Sequence, residues 1–596
     1  MQLSTTVLPR ARHDTVPTST SATPTRTLLV GGALLLVCSV GLFLLLQSRS
    51  LWESPSLMPD RWKALYKPLR SLFPPEWIMA RKWTSLGLLN AALFMVIVAL
   101  LFFVYLKVVT SLFTKAGTTR LRGRVALAII TGVATIALVL FFFSPGFLST
   151  DLYSYISYGR IAAIYDDNPF FRVPADYAWY DKANWLQWVV WRETPSAYGP
   201  VWLDLASLLA LAARAIDGDI VTHLLAHKLA AGVAYLLNIL LLWKVAGLVV
   251  ARYWQRPEAI AVEDEKAWQT GIKTAITATF AWNPLVIIEF GISAHNDVFM
   301  LTAILAALWL HLLGHWRWAV GAFALAAMVK VSALFFFPGY LWLLAWESKP
   351  KSRGKLAGAA GRLAQAGMIF LAVCATGYWR YWEGLPTLKH LSGGPPATLF
   401  IHSLGAIVRF KVPDAIELLS GLWGSKYGHF WTSEEIGARL EWPARWGLLL
   451  ISVTAACVRT WRARTFPTMV NAWGWVLLIY LTIGSVWFWP WYVTWLLVPV
   501  ALVGPGRLFT ATQVLCVSSM TIYALSPRVA KPLDALPGWT GLFVVAPPLI
   551  YLAVDVWRQR QRTSATMGNP TRSPAREVAA RPHVQRVGRV QGQSAD

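Results

Sequence analysis

Long apolar runs separated by short basic loops are the feature of this sequence that most constrains its fold. The runs at residues 28–46, 85–106 and 125–143 are each long enough to cross a bilayer as a helix. The chain has 596 residues, of which 56% are hydrophobic and only 14% charged, and its mean hydropathy is +0.48. A soluble protein of this size could not bury that much apolar surface. The sequence therefore predicts an all-α polytopic membrane protein.

The positive charge is distributed as in the cytoplasmic loops of membrane proteins. The net charge is +24, but much of the Lys and Arg falls between apolar runs and in the tails, where it faces anionic lipid rather than nucleic acid. The loop at 107–124 is the clearest basic segment of the N-terminal half, so the run at 125–143 is predicted to cross outward. The whole count gives about 14 crossings of the plasma membrane, with both termini in the cytoplasm.

These boundaries divide the chain into three regions. Residues 1–26 are predicted to be a disordered cytoplasmic tail, residues 27–557 the transmembrane domain, and residues 558–596 a basic disordered cytoplasmic tail. Two long external loops, at about 144–222 and 379–442, are rich in aromatic residues and should contain interfacial helices.

Two segments within the transmembrane domain depart from simple spans. Residues 201–215 are short for a span and contain Asp204, so a re-entrant helix is predicted there. Residues 318–346 resemble two short helices broken around 332–338, with Lys330 near the end of the first. The four cysteines all lie in apolar segments, which indicates neither a disulfide nor a zinc site.

Asp151 is the first candidate for chemistry, because it follows an apolar run almost at once and a Tyr-rich helical segment comes next. It could simply cap that helix. A capping carboxylate is also held rigidly, and the hydrogen bonds it accepts would lower its pKa and keep it ready to take a proton. Arg160, nine residues on, would lie about half a turn away and is either a snorkelling interfacial residue or a phosphate ligand.

Further polar residues fall on the same predicted outer face. The triplet His295-Asn296-Asp297 lies between two apolar runs, and Asp297 could cap the helix that follows. Lys330 stands in an apolar setting, where it would snorkel, pair with an acid, or neutralise an anionic leaving group. The run at 487–495 is most simply an aromatic belt at the membrane interface.

Five motifs in order over about residues 120–525 resemble those of known glycosyltransferases. They are SPGFLSTDLYSYISYGR with a following NPF, AYGPVW, WNPLVIIEFGISAHND, a lone Lys before a Pro-broken helix, and FWPWYVTWLL. The pattern resembles the GT-C superfamily of integral-membrane glycosyltransferases, in particular the bacterial polyprenol-phosphate-mannose-dependent α-1,6-mannosyltransferases. The resemblance implies a GT-C-type bundle and makes Asp151 the catalytic base. The first loop lacks a DxD motif, and its pair Asp166-Asp167 is best explained as a turn.

The resemblance also implies the reaction and its partners. The donor would be a sugar, with mannose expected, β-linked to a polyprenyl phosphate, and the acceptor a cell-envelope glycolipid or polysaccharide on the outer face. One inverting displacement needs a general base and positive charge on the phosphate, which Arg160, Lys330 or His295 would supply without a metal or other cofactor. Aromatic and polar side chains would bind the sugar and the prenyl chain. The candidates for substrate binding are Arg160, Tyr155, Tyr198, His295, Asn296, Asp297, Lys330, His402, Trp491 and Tyr492.

Other functions remain open at this point. A transporter or flippase of a lipid-linked saccharide would also have many spans, but it predicts paired broken segments in two corresponding halves, which the sequence does not contain. A related enzyme could use arabinose or glucose, or transfer onto protein. A structural lipid-binding protein would have no use for a rigid external acid.

Overall fold

The computed structural model describes residues 24–48, 64, 67–79, 84–118, 122–144, 148–180, 185–347, 355–391, 399–422, 432–525 and 539–567. Helix accounts for 83% of it, and the described residues contain no strand. Within this part of the chain, one isolated β-bridge joins Ile401 to Trp487. The predicted tails therefore lie largely outside the described residues. So do residues 349–353, whose Lys and Arg are predicted to lie in the cytoplasm, and residues 393–396 of the second predicted external loop.

The helices follow one another with short connections. Their bounds are Pro24–Leu45, Pro75–Met79, Ser85–Thr114, Gly123–Phe142, Asp151–Ala163, Pro200–Ile216, Ile220–Tyr253, Glu265–Ala281, Pro284–Ile287, Asp297–Leu312, Trp316–Val329, Phe337–Glu347, Lys355–Tyr378, Leu404–Ala406, Val412–Leu422, Ser433–Trp442, Leu448–Arg462, Phe466–Ile479, Val493–Val503, Arg507–Ser519, Thr521–Leu525 and Trp539–Met567. Segments of π-helix occupy Ile288–Ile292, Ile407–Lys411, Pro443–Gly447 and Tyr480–Gly484.

Membrane-spanning helices make up much of the described chain. Eight helices are long and apolar enough to cross a membrane, or nine if the bent pair Val262–Ala281 and Pro284–Ile292 forms one span. The protein is therefore a multi-pass membrane protein. Four apolar helices of the described chain are shorter, namely Asp297–Leu312, Trp316–Val329, Val331–Glu347 and Pro490–Val503. The first and last of these were counted among the predicted crossings, whereas the middle two correspond to the two short helices predicted at 318–346. The count of about 14 crossings and the interfacial placement of the loop helices stay predictions.

The chain divides into two compact units, residues 1–549 and 550–596. Every candidate residue lies in the first unit. In the second unit the described residues are helical as far as Met567, beyond the predicted boundary at 557. The helix continues because Arg and Gln, which follow residue 557 in the sequence, favour helix. The boundary between transmembrane domain and tail stays a prediction.

The predicted break around Lys330 is confirmed. The helix Trp316–Val329 ends at Lys330, whose backbone is extended (φ −153, ψ 128), and a 3-10 turn over Val331–Phe335 follows. The next helix is Phe337–Glu347, and its proline lies in the first turn, where a missing backbone N–H costs no hydrogen bond. The break leaves the Lys330 side chain at the end of one helix and the start of a turn.

The helix that begins with Asp151 is held by close packing. It packs against Pro200–Ile216, which in turn packs against Ile220–Tyr253. Gly159 faces the backbone of Ala206 so closely that a side chain at position 159 would collide with it. This contact fixes the position of the Asp151–Ala163 helix, and therefore of its first residue.

Candidate active site

A cavity of about 810 Å³ opens where the Asp151 helix, the Lys330 turn and the aromatic run meet. Five of the predicted residues line it, namely Asp151, Tyr198, Lys330, Trp491 and Tyr492. The side chains of Tyr155, His295, Asn296 and Asp297 are buried behind this wall. The structure thus brings together nine of the eleven predicted residues, which come from all five of the sequence motifs.

Asp151 is the first residue of its helix and not its cap. Thr150 holds the cap position and makes no side-chain capping bond, so the capping interpretation of Asp151 is wrong. Its side chain is 14% exposed, and its Oδ2 lies 3.8 Å from Nδ1 of His295. The carboxylate therefore faces both the cavity and a buried imidazole.

The pKa of Asp151 is raised, not lowered as the capping interpretation predicted. Burial raises the pKa of this carboxyl from 3.8 to about 6, and the nearby Asp297 adds to the rise, while the Lys330 ammonium and a hydrogen bond from Trp191 oppose it. The effect of burial on this pKa is the largest, because few hydrogen bonds reach the carboxylate to offset its lost hydration. Asp151 remains ionised at neutral pH and can accept a proton.

Lys330 forms a buried ion pair with Asp297. Its Nζ donates to Oδ2 of Asp297 at 2.8 Å and to Oδ1 at 3.0 Å. The indole of Trp495 also donates to Oδ1, at 2.5 Å. Asp297 is fully buried and Lys330 is 13% exposed, so Asp297 serves as the partner of this lysine and does not cap its own helix, whose cap position is Asn296.

The buried imidazole of His295 lies between two carboxylates, those of Asp151 and Glu289. His295 lies in a turn in which Ala294 adopts the left-handed backbone (φ +52), an uncommon conformation for a residue with a Cβ atom. Its Nε2 lies 3.4 Å from Oε2 of Glu289, and its Nδ1 lies 3.4 Å from the hydroxyl of Tyr155. The same hydroxyl donates to Oδ1 of Asn296 at 3.2 Å. The triplet is therefore a packed polar cluster behind the cavity.

The aromatic run forms part of the cavity wall. Trp491 is only 5% exposed, and its ring stacks on His295 with centroids 4.0 Å apart. Trp489 stacks on Trp491 at 5.0 Å, and Tyr492 stacks on Trp495 at 4.6 Å. The interpretation as an interface belt is wrong for these residues, since they pack inside the protein and do not face lipid.

The other two predicted residues, Arg160 and His402, are neither in the cavity lining nor in the buried group behind it. Arg160, in the last turn of its helix, donates from Nη2 to the hydroxyl of Tyr165 at 3.0 Å. His402 has a left-handed backbone (φ +50), and its Nδ1 lies 2.6 Å from Oγ1 of Thr540. His402 supports the aromatic wall by an edge-on contact with Trp489. The spacing had already indicated that Arg160 and Asp151 would not share a helical face.

The comparison with known families decides the class of protein. Residues 67–262 and 264–346 match the family model described as Alpha-(1->6)-mannopyranosyltransferase, N-terminal domain. The match covers a little less than half of the chain and makes it similar to the alpha-(1->6)-mannopyranosyltransferase family over these residues. Searches of curated proteins and of solved structures found no match.

The family match agrees with the resemblance found in the sequence motifs. It supports a mannosyltransferase, and so a glycosyltransferase, which favours an enzyme over the transporter alternative. The matched residues contain Asp151, the His295 triplet and Lys330. The aromatic run with Trp491 lies beyond the matched residues in the sequence. Folding of the chain brings it to the wall of the same cavity.

Two charged residues of this candidate site were not predicted from the sequence. Glu289 lies within the quoted motif WNPLVIIEFGISAHND, and a carboxylate in an apolar run is costly enough to have marked it. Arg445 lines the cavity, with its guanidinium 4.5 Å from the centre of the Phe400 ring. Nothing local in the sequence singles out Arg445, because its relation to the cavity depends on packing between distant segments.

The acidic pair at 166–167 forms a turn, as predicted. Asp166 has a left-handed backbone (φ +54), and Asp167 accepts a hydrogen bond of 2.5 Å from the hydroxyl of Tyr177. Within the described ranges, no three His, Cys, Asp or Glu side chains are grouped so that they could hold a metal ion. The cavity does have positive charge on its wall, from Lys330 and Arg445.

Proposed function

We propose that the protein transfers mannose from a polyprenyl-phosphate donor to a hydroxyl of a cell-envelope glycolipid or polysaccharide, at the outer face of the plasma membrane. Asp151 is the general base. One observation carries this proposal: a mostly buried carboxylate with a pKa of about 6 faces a cavity of about 810 Å³. The family match to mannosyltransferases over the same residues supports the sugar.

The ionised state of Asp151 at neutral pH suits a general base in this reaction. The acceptor hydroxyl must lose its proton as its oxygen bonds to the anomeric carbon, and the proton passes to the Asp151 carboxylate. The bond from the anomeric carbon to the phosphate oxygen breaks, and the electron pair leaves with the phosphate. A single displacement of this kind converts a β-linked sugar into an α-linked one. A base whose pKa lies just below neutral is ionised and still basic enough to help.

The phosphate of the donor needs positive charge, and the cavity offers two cations. Lys330 is already neutralised by Asp297 at 2.8 Å, so its remaining attraction for another anion is reduced. Arg445 lines the cavity and presents the planar donor fork that binds phosphate in a bidentate manner. We assign the main phosphate contact to Arg445, with Lys330 in a supporting role. Arg160, outside the lining, has no part in this assignment.

The walls of the cavity suit a lipid-linked sugar. Leu334, Phe335 and Leu449 give it an apolar side, and the stacked indoles of Trp489 and Trp491 give it flat aromatic surfaces. Isoprenoid chains pack against the first kind of surface, and sugar rings stack on the second. Trp446 lines the cavity while 51% exposed. It therefore lies at the rim, where a prenyl chain can pass between bilayer and cavity.

The activity is tested by transfer of radiolabelled mannose from polyprenyl-phosphate-mannose to glycolipid in isolated membranes. Asp151→Asn should abolish transfer while the protein still inserts at normal levels. The matched control is Asp219→Asn, since Asp219 caps a helix by accepting from the Val221 N–H and Asn caps equally well. Transfer that survives in Asp151→Asn would remove the base from the mechanism.

The location of the reaction has a separate test. Arg172 and Glu193 are exposed residues of the first predicted external loop, and Glu193 lies two residues after Trp191 of the cavity lining. Lys266 is exposed in the first turn of the helix Glu265–Ala281, which precedes the His295 triplet in the chain. In a variant without the native cysteines, a cysteine at position 172 or 193 should react with an impermeant reagent applied to intact cells. A cysteine at position 266 should react only after the cells are opened. The reverse pattern would place the cavity on the cytoplasmic side.

A further inference from the structure

Two sugars meet in the proposed displacement, the mannose of the donor and the sugar that carries the attacking hydroxyl. The stacked indoles of Trp489 and Trp491 offer a surface to the first. The second must lie on the side of the anomeric carbon that faces the base, because an inverting displacement places the attacking oxygen and the leaving phosphate on opposite sides. A surface for the acceptor sugar is therefore expected next to Asp151.

Six tryptophans line the cavity, and they differ in how much of the ring is accessible. Four of them are buried, namely Trp487, Trp489, Trp491 and Trp495. Trp191 is partly exposed, and Trp446 is largely exposed. An accessible indole in a cavity wall has ring surface on which a ligand can stack. These two tryptophans are therefore the candidates for contact with a substrate that enters from outside.

The two accessible tryptophans lie in opposite surroundings. Trp446 precedes a helix with exposed apolar side chains, Leu450 among them, as expected of a surface that faces lipid. Trp191 is followed by Arg192 and Glu193, whose charged side chains are exposed, as expected of a surface that faces water. A prenyl chain would therefore reach the cavity past Trp446, and a sugar chain past Trp191.

The ring of Trp191 is next to the base and is held in place. Its indole N–H donates a hydrogen bond to the Asp151 carboxylate. Among the described residues its one ring contact is with Trp487, at 5.9 Å between centroids and tilted by 56°, and a tilted contact cannot cover both faces of the ring. The carbonyl of Trp191 accepts from the N–H of Thr194 at 3.1 Å, and the carbonyl of Thr194 accepts from the hydroxyl of Tyr158 at 2.8 Å. A flat surface fixed in this way binds a sugar without first having to be ordered.

We propose that Trp191 binds the acceptor, with the sugar that carries the attacking hydroxyl stacked on its indole. This rests on the proposed function, because it requires Asp151 to be the base. The ligand is the sugar chain of the acceptor, which reaches the cavity from the water side whatever lipid or polymer lies at its far end. Stacking on Trp191 places the hydroxyl beside Asp151 and leaves the mannose of the donor between the base and Arg445.

The test compares Trp191→Ala with Trp191→Phe in the purified full-length protein. The assay uses radiolabelled polyprenyl-phosphate-mannose as donor and glycolipid extracted from membranes as acceptor. Both variants lack the indole N–H that contacts Asp151, so the effect of that loss is common to them, but only Phe keeps a flat ring. The KM for the acceptor should therefore be about tenfold higher in Trp191→Ala than in Trp191→Phe. The KM for the donor should be the same in both.

Two further variants serve as controls. Trp446→Ala should raise the KM for the donor and leave that for the acceptor unchanged, because its ring lies at the rim that faces lipid. Trp379→Ala removes an indole that is exposed in the second predicted external loop and lies outside the cavity lining, so it should keep both constants. A rise of the acceptor KM in Trp446→Ala equal to that in Trp191→Ala would contradict separate routes for the two substrates.

The outcomes separate this proposal from the proposed function. If Asp151→Asn loses transfer but Trp191→Ala and Trp191→Phe have equal acceptor KM values, the acceptor subsite is wrong and the base stands. A rise of the donor KM alone would also overturn the subsite. If Asp151→Asn keeps transfer, the proposed function itself fails. Should Trp191→Ala not fold, Trp191→Leu replaces it with the same expected rise, and failure of both to fold would make Trp191 a structural residue and overturn the subsite.

Discussion

The ammonium of Lys330 lies 2.8 Å from the carboxylate of Asp297, and both side chains are almost sealed from solvent. The rings of Tyr492 and Trp495 lie 5.3 and 5.7 Å from the same ammonium. A pair so enclosed is held in one geometry by its surroundings. The ion pair holds the helix break at Lys330 next to the first residue of the Asp297–Leu312 helix. It therefore holds two walls of the cavity in a fixed relative position.

Removing one member of this pair should cost much stability. Lys330→Met leaves the Asp297 carboxylate buried without its counter-ion, a change that typically costs about 3–5 kcal/mol. The expected result is a clear fall in the thermal midpoint of the detergent-solubilised protein. The matched control is Lys411→Met, because Lys411 pairs with Asp414 at 2.6 Å in a more exposed position, worth about 1 kcal/mol or less. Equal losses in the two variants would contradict the structural role given to the Lys330 pair.

The rate of transfer should depend on the protonation of Asp151. Because burial raises the pKa of this carboxyl to about 6, the base is ionised above that pH and protonated below it. The rate constant should therefore be level at neutral pH and fall about tenfold per pH unit on the acid side. The value of kcat/KM for the donor, measured across this range, tests the expectation because it reports the pKa of the free enzyme. A rate that is unchanged well below pH 6 would show that another group, or no group, accepts the proton.

Arg445 should contribute to binding of the donor phosphate. A charge-assisted hydrogen bond to phosphate is worth about 1.5–3 kcal/mol, so Arg445→Ala should raise the KM for the donor about tenfold or more. Arg445→Lys keeps the charge but loses the bidentate fork, and an intermediate KM is expected. Arg409→Ala is the control, because this guanidinium also lies over a ring, that of Phe410 at 5.1 Å, outside the cavity lining. An unchanged KM in Arg445→Ala would contradict the assignment.

The close approach of two helices at Gly159 should be sensitive to a single methyl group. Gly159→Ala places a Cβ atom against the backbone of Ala206, and overpacking of this kind costs about 1–3 kcal/mol. The thermal midpoint should fall, and transfer should fall with it, since Asp151 begins the displaced helix. Gly132→Ala, where a Cβ meets no atom within 4 Å, should be neutral or slightly stabilising because Ala favours helix. A neutral Gly159→Ala would contradict the packing described here.

The broad architecture could be predicted from the sequence because its signals are local. Apolar runs of span length and basic loops identify a multi-pass helical protein without any knowledge of packing. The break near Lys330 was also local, since a Pro-containing segment interrupts an apolar run. The number of spans was harder to predict, because length and hydropathy alone do not separate a crossing helix from a short buried one such as Asp297–Leu312.

The contacts within the site depend on residues far apart in the chain, and the sequence could not pair them. The sequence identified Asp151, His295 and Lys330 as polar residues within or beside apolar runs, where their presence needs a structural or functional explanation. It could not show that Lys330 pairs with Asp297 or that His295 faces Glu289. The direction of the pKa change at Asp151 was predicted wrongly for the same reason, because burial arises from packing and not from the capping pattern.

Single-turnover transfer by the purified protein tests the role of Asp151 most directly. Enzyme in excess is mixed with radiolabelled polyprenyl-phosphate-mannose and acceptor glycolipid, and the rate of product formation is followed for the wild type and Asp151→Asn. The account predicts that the variant binds the donor normally, keeps its thermal midpoint, and forms product at least about 100-fold more slowly. A variant that forms product at the wild-type rate would show that no proton passes to Asp151.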